Sequence, residues 1–157
     1  MDVQFINPFL DGTKHVLETM AMVSPVEGKP YLKKDNTAQG DVSAIIGMTG
    51  AARGSLALSF SKSCILQIVS NMLGENYQDI NDDVRDAVGE ITNMISGAAR
   101  KNLEGKGLSV LAAIPTVVSG KDHRIIHVLG GPSIIIPFET GGGPFVVDIC
   151  LNVVPTA

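Results

Sequence analysis

The chain has 157 residues, enough for one domain or at most two small ones. Hydrophobic residues make up 45% and charged residues only 18%, so the chain can fill a core and is not disordered as a whole. A net charge of −4 excludes a broadly basic nucleic-acid-binding surface. Two cysteines, Cys64 and Cys150, do not make a secreted disulfide framework, and no apolar run reaches membrane-spanning length. The start, Met1-Asp2-Val3-Gln4-Phe5, lacks a basic leader region, and a soluble cytoplasmic protein is expected.

In chain order, Ile6, Phe9, Leu10, Val16, Leu17 and Met20 form one helical stripe, which predicts a helix over residues 7–23. Asn7 is its candidate N-cap, Pro8 suits a first turn, and Pro25 and Gly28 stop it. Strands are expected at Val42–Met48 and Ser55–Phe60, joined as a hairpin through Thr49–Gly54. Helical spacing returns from Ser61, with Gly74 as its stop. The longest helix is predicted from Asn81 to Leu103, capped by Asn81 or Asp82, with early acids suited to the positive end of its dipole. After Gly105, short β-branched runs predict strands at 108–113, 115–119, 124–129, 133–138 and 145–154. The fold class is α/β, long helices on a largely antiparallel sheet, in a single domain over residues 1–157. A loose α-β-β duplication is visible. The Thr-Gly pairs at Thr49 and Thr140 stand 91 positions apart while Glu18 and Glu90 stand 72 apart, so spacing alone leaves it open.

On a helical wheel with Val84 at zero, Val88, Ile91, Ile95 and Ala98 fall within about 40° and form a core stripe. Asp86, Glu90 and Asn93 lie opposite, at about 200°, 240° and 180°, with Gly89 and Gly97 bordering them. Each glycine in a helix interior costs roughly 0.5–1 kcal/mol against alanine, and close approach of another backbone would justify it. A plain solvated face is the alternative. The core positions Val16, Leu17, Ile65 and Ile68, with Val84, Val88, Ile91 and Ile95, are expected to be buried against the sheet.

The stretch Asp86-Ala87-Val88-Gly89-Glu90-Ile91-Thr92-Asn93-Met94 resembles the signature of the CheC/CheX/FliY chemotaxis phosphatases: Asp or Ser, three residues, Glu, two residues, Asn. Gly47-Met48-Thr49-Gly50 with Gly54-Ser55-Leu56 is similar to the family's first hairpin. Pro115–Gly120 is similar to the segment after its active helix. One intact signature resembles the CheX type more than CheC, which normally has two. At Lys14-x-x-x-Glu18-x-x-Ala21, where a first signature would fall, the amide is missing.

The resemblance implies a phosphatase for the aspartyl phosphate of a CheY-like response regulator. Asn93 would orient the attacking water and Glu90 would pair with the partner's lysine; both are the catalytic candidates. Asp86, Gly89 and Gly97 are the partner-contact candidates. The resemblance implies no cofactor of the chain's own, with Mg²⁺ supplied by the response regulator, and a homodimer paired through its sheets. A catalytically idle adaptor on a receiver domain or flagellar motor component is the competing reading. A stand-alone phosphate-ester hydrolase is disfavoured, since no nucleophile or metal cluster accompanies the pair.

Other patterns carry less. Asp79, Asn81, Asp83 and Glu90 mimic a calcium loop, but Val84 stands where glycine is needed. His123 and His127 are expected to be ordinary surface histidines. Gly130-Gly131 and Gly141–Gly143 are expected to be hairpin turns. Cys64 and Cys150 should be buried thiols.

Overall fold

A computed structural model describes residues 3–33, 35, 37–127, 129 and 132–154. Three helices, α1 (Val3–Ala21), α2 (Lys62–Leu73) and α3 (Asp82–Gly105), pack on an antiparallel sheet. Its strands are β1 (Val26–Glu27), β2 (Tyr31–Leu32), β3 (Val42–Gly50), β4 (Ala52–Phe60), β5 (Val110–Ala112), β6 (Thr116–Ser119), β7 (Ile134–Thr140) and β8 (Gly143–Val153). The sheet runs β1-β7-β8-β4-β3-β5; β2 also pairs with β7, and β6 with β3. The hairpins β3–β4 and β7–β8 meet at their second strands, and α1 lies against α3 on the same face. This is the arrangement of a duplicated α-β-β unit.

Local chemistry sets the helix ends. Ser61 caps α2 by accepting from the Cys64 N–H, and Gly74, left-handed at φ 71°, closes it onto Ser70. Asn81 caps α3 by accepting from the Val84 N–H at 3.0 Å. The first helix departs from expectation. It begins by Val3, so Pro8 lies inside it, and Met22 at φ 55° ends it before Pro25. The Val23 N–H bonds the Leu17 carbonyl there.

One apolar cluster joins the helices to the sheet; Val16, Leu17, Ile65, Ile68, Val84, Val88, Ile91 and Ile95 are all buried in it, whereas Ala98 of the α3 stripe is only half-buried. Burial of a Val, Leu, Ile or Phe stabilises by roughly 1.5–3 kcal/mol. Phe60, Phe145 and Phe138 stack in succession across three strands. The helices α1 and α3 approach closely at Gly12, where a Cβ would stand 3.2 Å from the Ile95 carbonyl oxygen and 3.5 Å from the Ala98 methyl.

Of the strand expected at 124–129, residues 124–127 and 129 are described, and they do not form a strand. Arg124 makes an isolated bridge to Thr37, and the chain then crosses the sheet face away from the helices. Alternation turns Ser43, Ser55, Ala57, Ser59 and Asp148 to that second face, where all are buried. Lys33, His123, His127 and Ser133 bond to them. These residues are small or polar, and they are buried because other segments cover them. The short strands β1 and β2 were also not anticipated. The Gly130-Gly131 turn lies outside the described residues. The second glycine turn is present between β7 and β8.

Candidate functional site

Because α3 turns Val84, Val88, Ile91 and Ile95 into the core, the opposite side of the same helix must face outward. Asp86, Glu90 and Asn93 are all exposed. Glu90 and Asn93, three residues apart, are neighbours on a helix surface, with Cβ atoms about 5–6 Å apart. Their side chains make no hydrogen bond or ion pair among the described residues, and the same holds for Asp86. Thr92, between Glu90 and Asn93, turns inward and donates its hydroxyl to the Val88 carbonyl at 2.8 Å. A capped helix with a buried stripe thus presents a free carboxylate and a free amide side by side.

The pair opens on a cleft of about 440 Å³. Arg85, Asp86, Gly89, Glu90 and Asn93 form its helical wall; Ile114, Pro115 and Val117 form the other. A Cβ at Gly89 would reach Val117 Cγ2 at 3.4 Å, an ordinary contact, so packing does not exclude a side chain there, though one would fill the cleft. Gly97 is freer still: its Cβ would meet only the tip of Arg100, at 4.0 Å. Gly12 on α1, unlike Gly97, has little room for a Cβ against α3, which the wheel of α3 could not reveal. Sequence reasoning also missed Arg85, Ile114 and Val117 as cleft residues. An apolar residue before Pro115, between two short strands, was the available signal for Ile114.

On α1 the degenerate position offers no equivalent pair. Glu18 is exposed, but Ala21 is fully buried, and Lys14 is ion-paired to Glu27. Two of the four calcium-like residues have other partners: Asn81 caps α3 and Asp79 pairs with Lys62 at 2.9 Å. Among the described residues no group of three His, Cys, Asp or Glu could hold a metal. Among the described residues no helix is long and apolar enough to cross a membrane.

His123 and His127 are not the ordinary surface groups expected. His127, 7% exposed, sits between the Ser55 hydroxyl at Nδ1 and Asp148 at Nε2, 2.8 Å away. Lys33 bonds the other Asp148 oxygen at 2.8 Å. His123 bonds the Ser43 hydroxyl through Nε2 at 2.6 Å and faces the Gly120 carbonyl through Nδ1 at 2.8 Å. Both are half-hidden or hidden because the crossing segment lays them on the serines of β3 and β4. Burial alone would push the Asp148 carboxyl up. Hydrogen bonds from His127, Lys33 and Ser133, with attraction to His127, outweigh this and hold it below the ordinary carboxylate value. Ser55 lies fully buried at this centre, so it is no exposed nucleophile. Cys64 and Cys150 are buried and not joined in a disulfide, and burial pushes the Cys64 thiol up to about 11.

A family model for the chemotaxis phosphatase CheX matches residues 42–139. The chain is 32% identical over 126 residues to the CheY-P phosphatase CheX of Thermotoga maritima, covering 80% of this chain and 81% of that one. Among solved structures it is similar to a CheC-like superfamily protein from Shewanella sp. PV-4, with 48% identity, a TM-score of 0.90, and 97% and 99% of the two chains covered. It is also similar to the CheX of a CheX–CheY–BeF3–Mg²⁺ complex from Borrelia burgdorferi. There the identity is 28%, the TM-score 0.77, and the coverage 94% and 97%. Matched over more than half its length, and carrying the expected helix-on-sheet architecture, the chain belongs to the CheX family of chemotaxis phosphatases.

Proposed function

We propose that this protein dephosphorylates a phosphorylated CheY-type response regulator by completing the regulator's own phosphorylation site. The observation that carries this reading is the exposed pair Glu90 and Asn93 on one helix face, without partners among the described residues. The relative from Thermotoga maritima is a CheY-P phosphatase, and the Borrelia burgdorferi relative is in complex with CheY, which supports a receiver domain as partner.

Hydrolysis of an aspartyl phosphate requires a water oxygen to bond to phosphorus as the bond to the carboxylate oxygen breaks, releasing inorganic phosphate and the free aspartate. Most of the catalysis in such transfer is positioning and charge stabilisation. Asn93 carries both a donor and an acceptor on its amide, so it can hold a water in line. Glu90 supplies a fixed negative charge for the regulator's lysine and sets the register of docking. Asp86 is a rim contact, and Gly89 and Gly97 admit close approach of the partner backbone. The chain contributes no cofactor; Mg²⁺ bound by the regulator neutralises the phosphoryl oxygens. Pairing of two copies through their sheets belongs to the same proposal, and the exposed Val26, Tyr31 and Leu32 at the β1–β2 edge offer a surface for it.

Decay of a phosphorylated CheY-type receiver, followed with and without this protein at constant Mg²⁺, tests the reading. The parent chain accelerates decay, and Asn93→Ala lowers that acceleration roughly 10²–10³-fold while binding persists. Binding without any change in phosphate lifetime would instead identify an idle adaptor.

A further inference from the structure

Ile114 stands 88% exposed on the wall of the cleft opposite Glu90 and Asn93. We propose that Ile114 is the apolar anchor by which the phosphorylated receiver is held against α3, an inference that rests on the function proposed above.

Three observations carry it. First, the residue is placed rigidly although its side chain touches little. The Ala113 N–H bonds the Gly47 carbonyl at 2.9 Å just before it, and Pro115 fixes the backbone just after it. The next residue, Thr116, already pairs with Ile45 in the sheet. The residue before a proline is held extended, so Ile114 projects outward from a segment pinned on both sides. An anchor ordered beforehand loses little freedom on binding.

Second, its position is continuous with the proposed chemistry. It shares one cleft with the carboxylate and amide, so a receiver that reaches Asn93 must also cover Ile114. Apolar anchors that fill a partner's pocket beside charged contacts carry a disproportionate part of binding energy.

Third, the surrounding charge selects the occupant. Asp86 and Glu90 line the facing wall with Arg85, whose guanidinium is already paired with Asp82 and so leaves the two carboxylates uncompensated. A second copy docked about a two-fold axis at Ile114 would set these acids near their own equivalents, and like charges disfavour that contact. A phosphorylation site containing a lysine and a divalent cation complements them.

The test is Ile114→Ser in the full chain. Its affinity is titrated against a CheY-type receiver loaded with beryllofluoride and Mg²⁺, its steady-state kinetics are measured on the phosphorylated receiver, and its mass is determined by sedimentation. The expected result is a roughly tenfold weaker Kd and higher KM, with kcat and mass unchanged. Parent affinity in the variant overturns the proposal, as does a fall in kcat at constant KM, which would place Ile114 in the chemistry instead. A drop in mass overturns it in favour of self-association. Asn93→Ala is run alongside. If the parent binds the receiver but does not hasten decay, the phosphatase reading fails while the binding titration still decides the anchor. If the parent does not bind, both fail together.

Discussion

Lys33 Nζ lies 2.8 Å from Asp148 Oδ2 although the two residues are 115 positions apart, and both side chains are buried on the sheet face away from α3. His127 engages the second oxygen of the same carboxylate. A carboxylate satisfied on both oxygens thus ties Lys33 and the crossing segment at His127 to the centre of β8.

This network predicts acid sensitivity. The Asp148 pKa is lowered in the folded state, so its stabilisation is fully present above the ordinary carboxylate value of 3.8. It is lost as pH falls from there through the folded value. Asp148→Asn leaves the Lys33 and His127 partners without their carboxylate and should cost about 3–5 kcal/mol near neutral pH. Urea unfolding of both proteins, at neutral pH and between pH 5 and about 2.5, checks this: the difference should shrink as the parent's carboxylate protonates.

Gly12 and Gly97 should respond to side chains in opposite ways. Gly12→Val drives branched carbons toward the Ile95 carbonyl and Ala98, and overpacking of this kind destabilises by about 1–3 kcal/mol. Gly97→Ala meets nothing closer than 4.0 Å and should stabilise by roughly 0.5–1 kcal/mol through helix propensity. Thermal unfolding reads both, and receiver titration of Gly97→Ala should show weaker binding despite the gain in stability.

The Asn81 cap should matter to stability and little to docking. Asn81→Ala removes the acceptor for the Val84 N–H and should cost about 1 kcal/mol in denaturant unfolding.

Glu90→Ala should weaken receiver binding as well as turnover, because its proposed contact is between charges. The parent's affinity should fall as salt rises from 0.05 to about 0.5 M, since screening shortens over that range, and the variant's affinity should fall less. Equal salt dependence in the two would remove Glu90 from the contact.

The amino-acid order by itself determined α3. Its cap, its early acids, its stripe of Val84, Val88, Ile91 and Ile95, and hence the outward placement of Asp86, Glu90 and Asn93, all follow from a 3.6-residue period acting within one element. The hairpins β3–β4 and β7–β8 were legible for the same reason, from runs and turns close in sequence. Tertiary structure alone decided what lies across from those elements. It brought Ile114 and Val117 to face Glu90 over a cleft, set Gly12 against Ile95, and buried His127 between Ser55 and Asp148. Each of these pairings joins residues tens of positions apart. Periodicity gives the direction in which a side chain leaves its own helix or strand, whereas its partner depends on how separate elements pack.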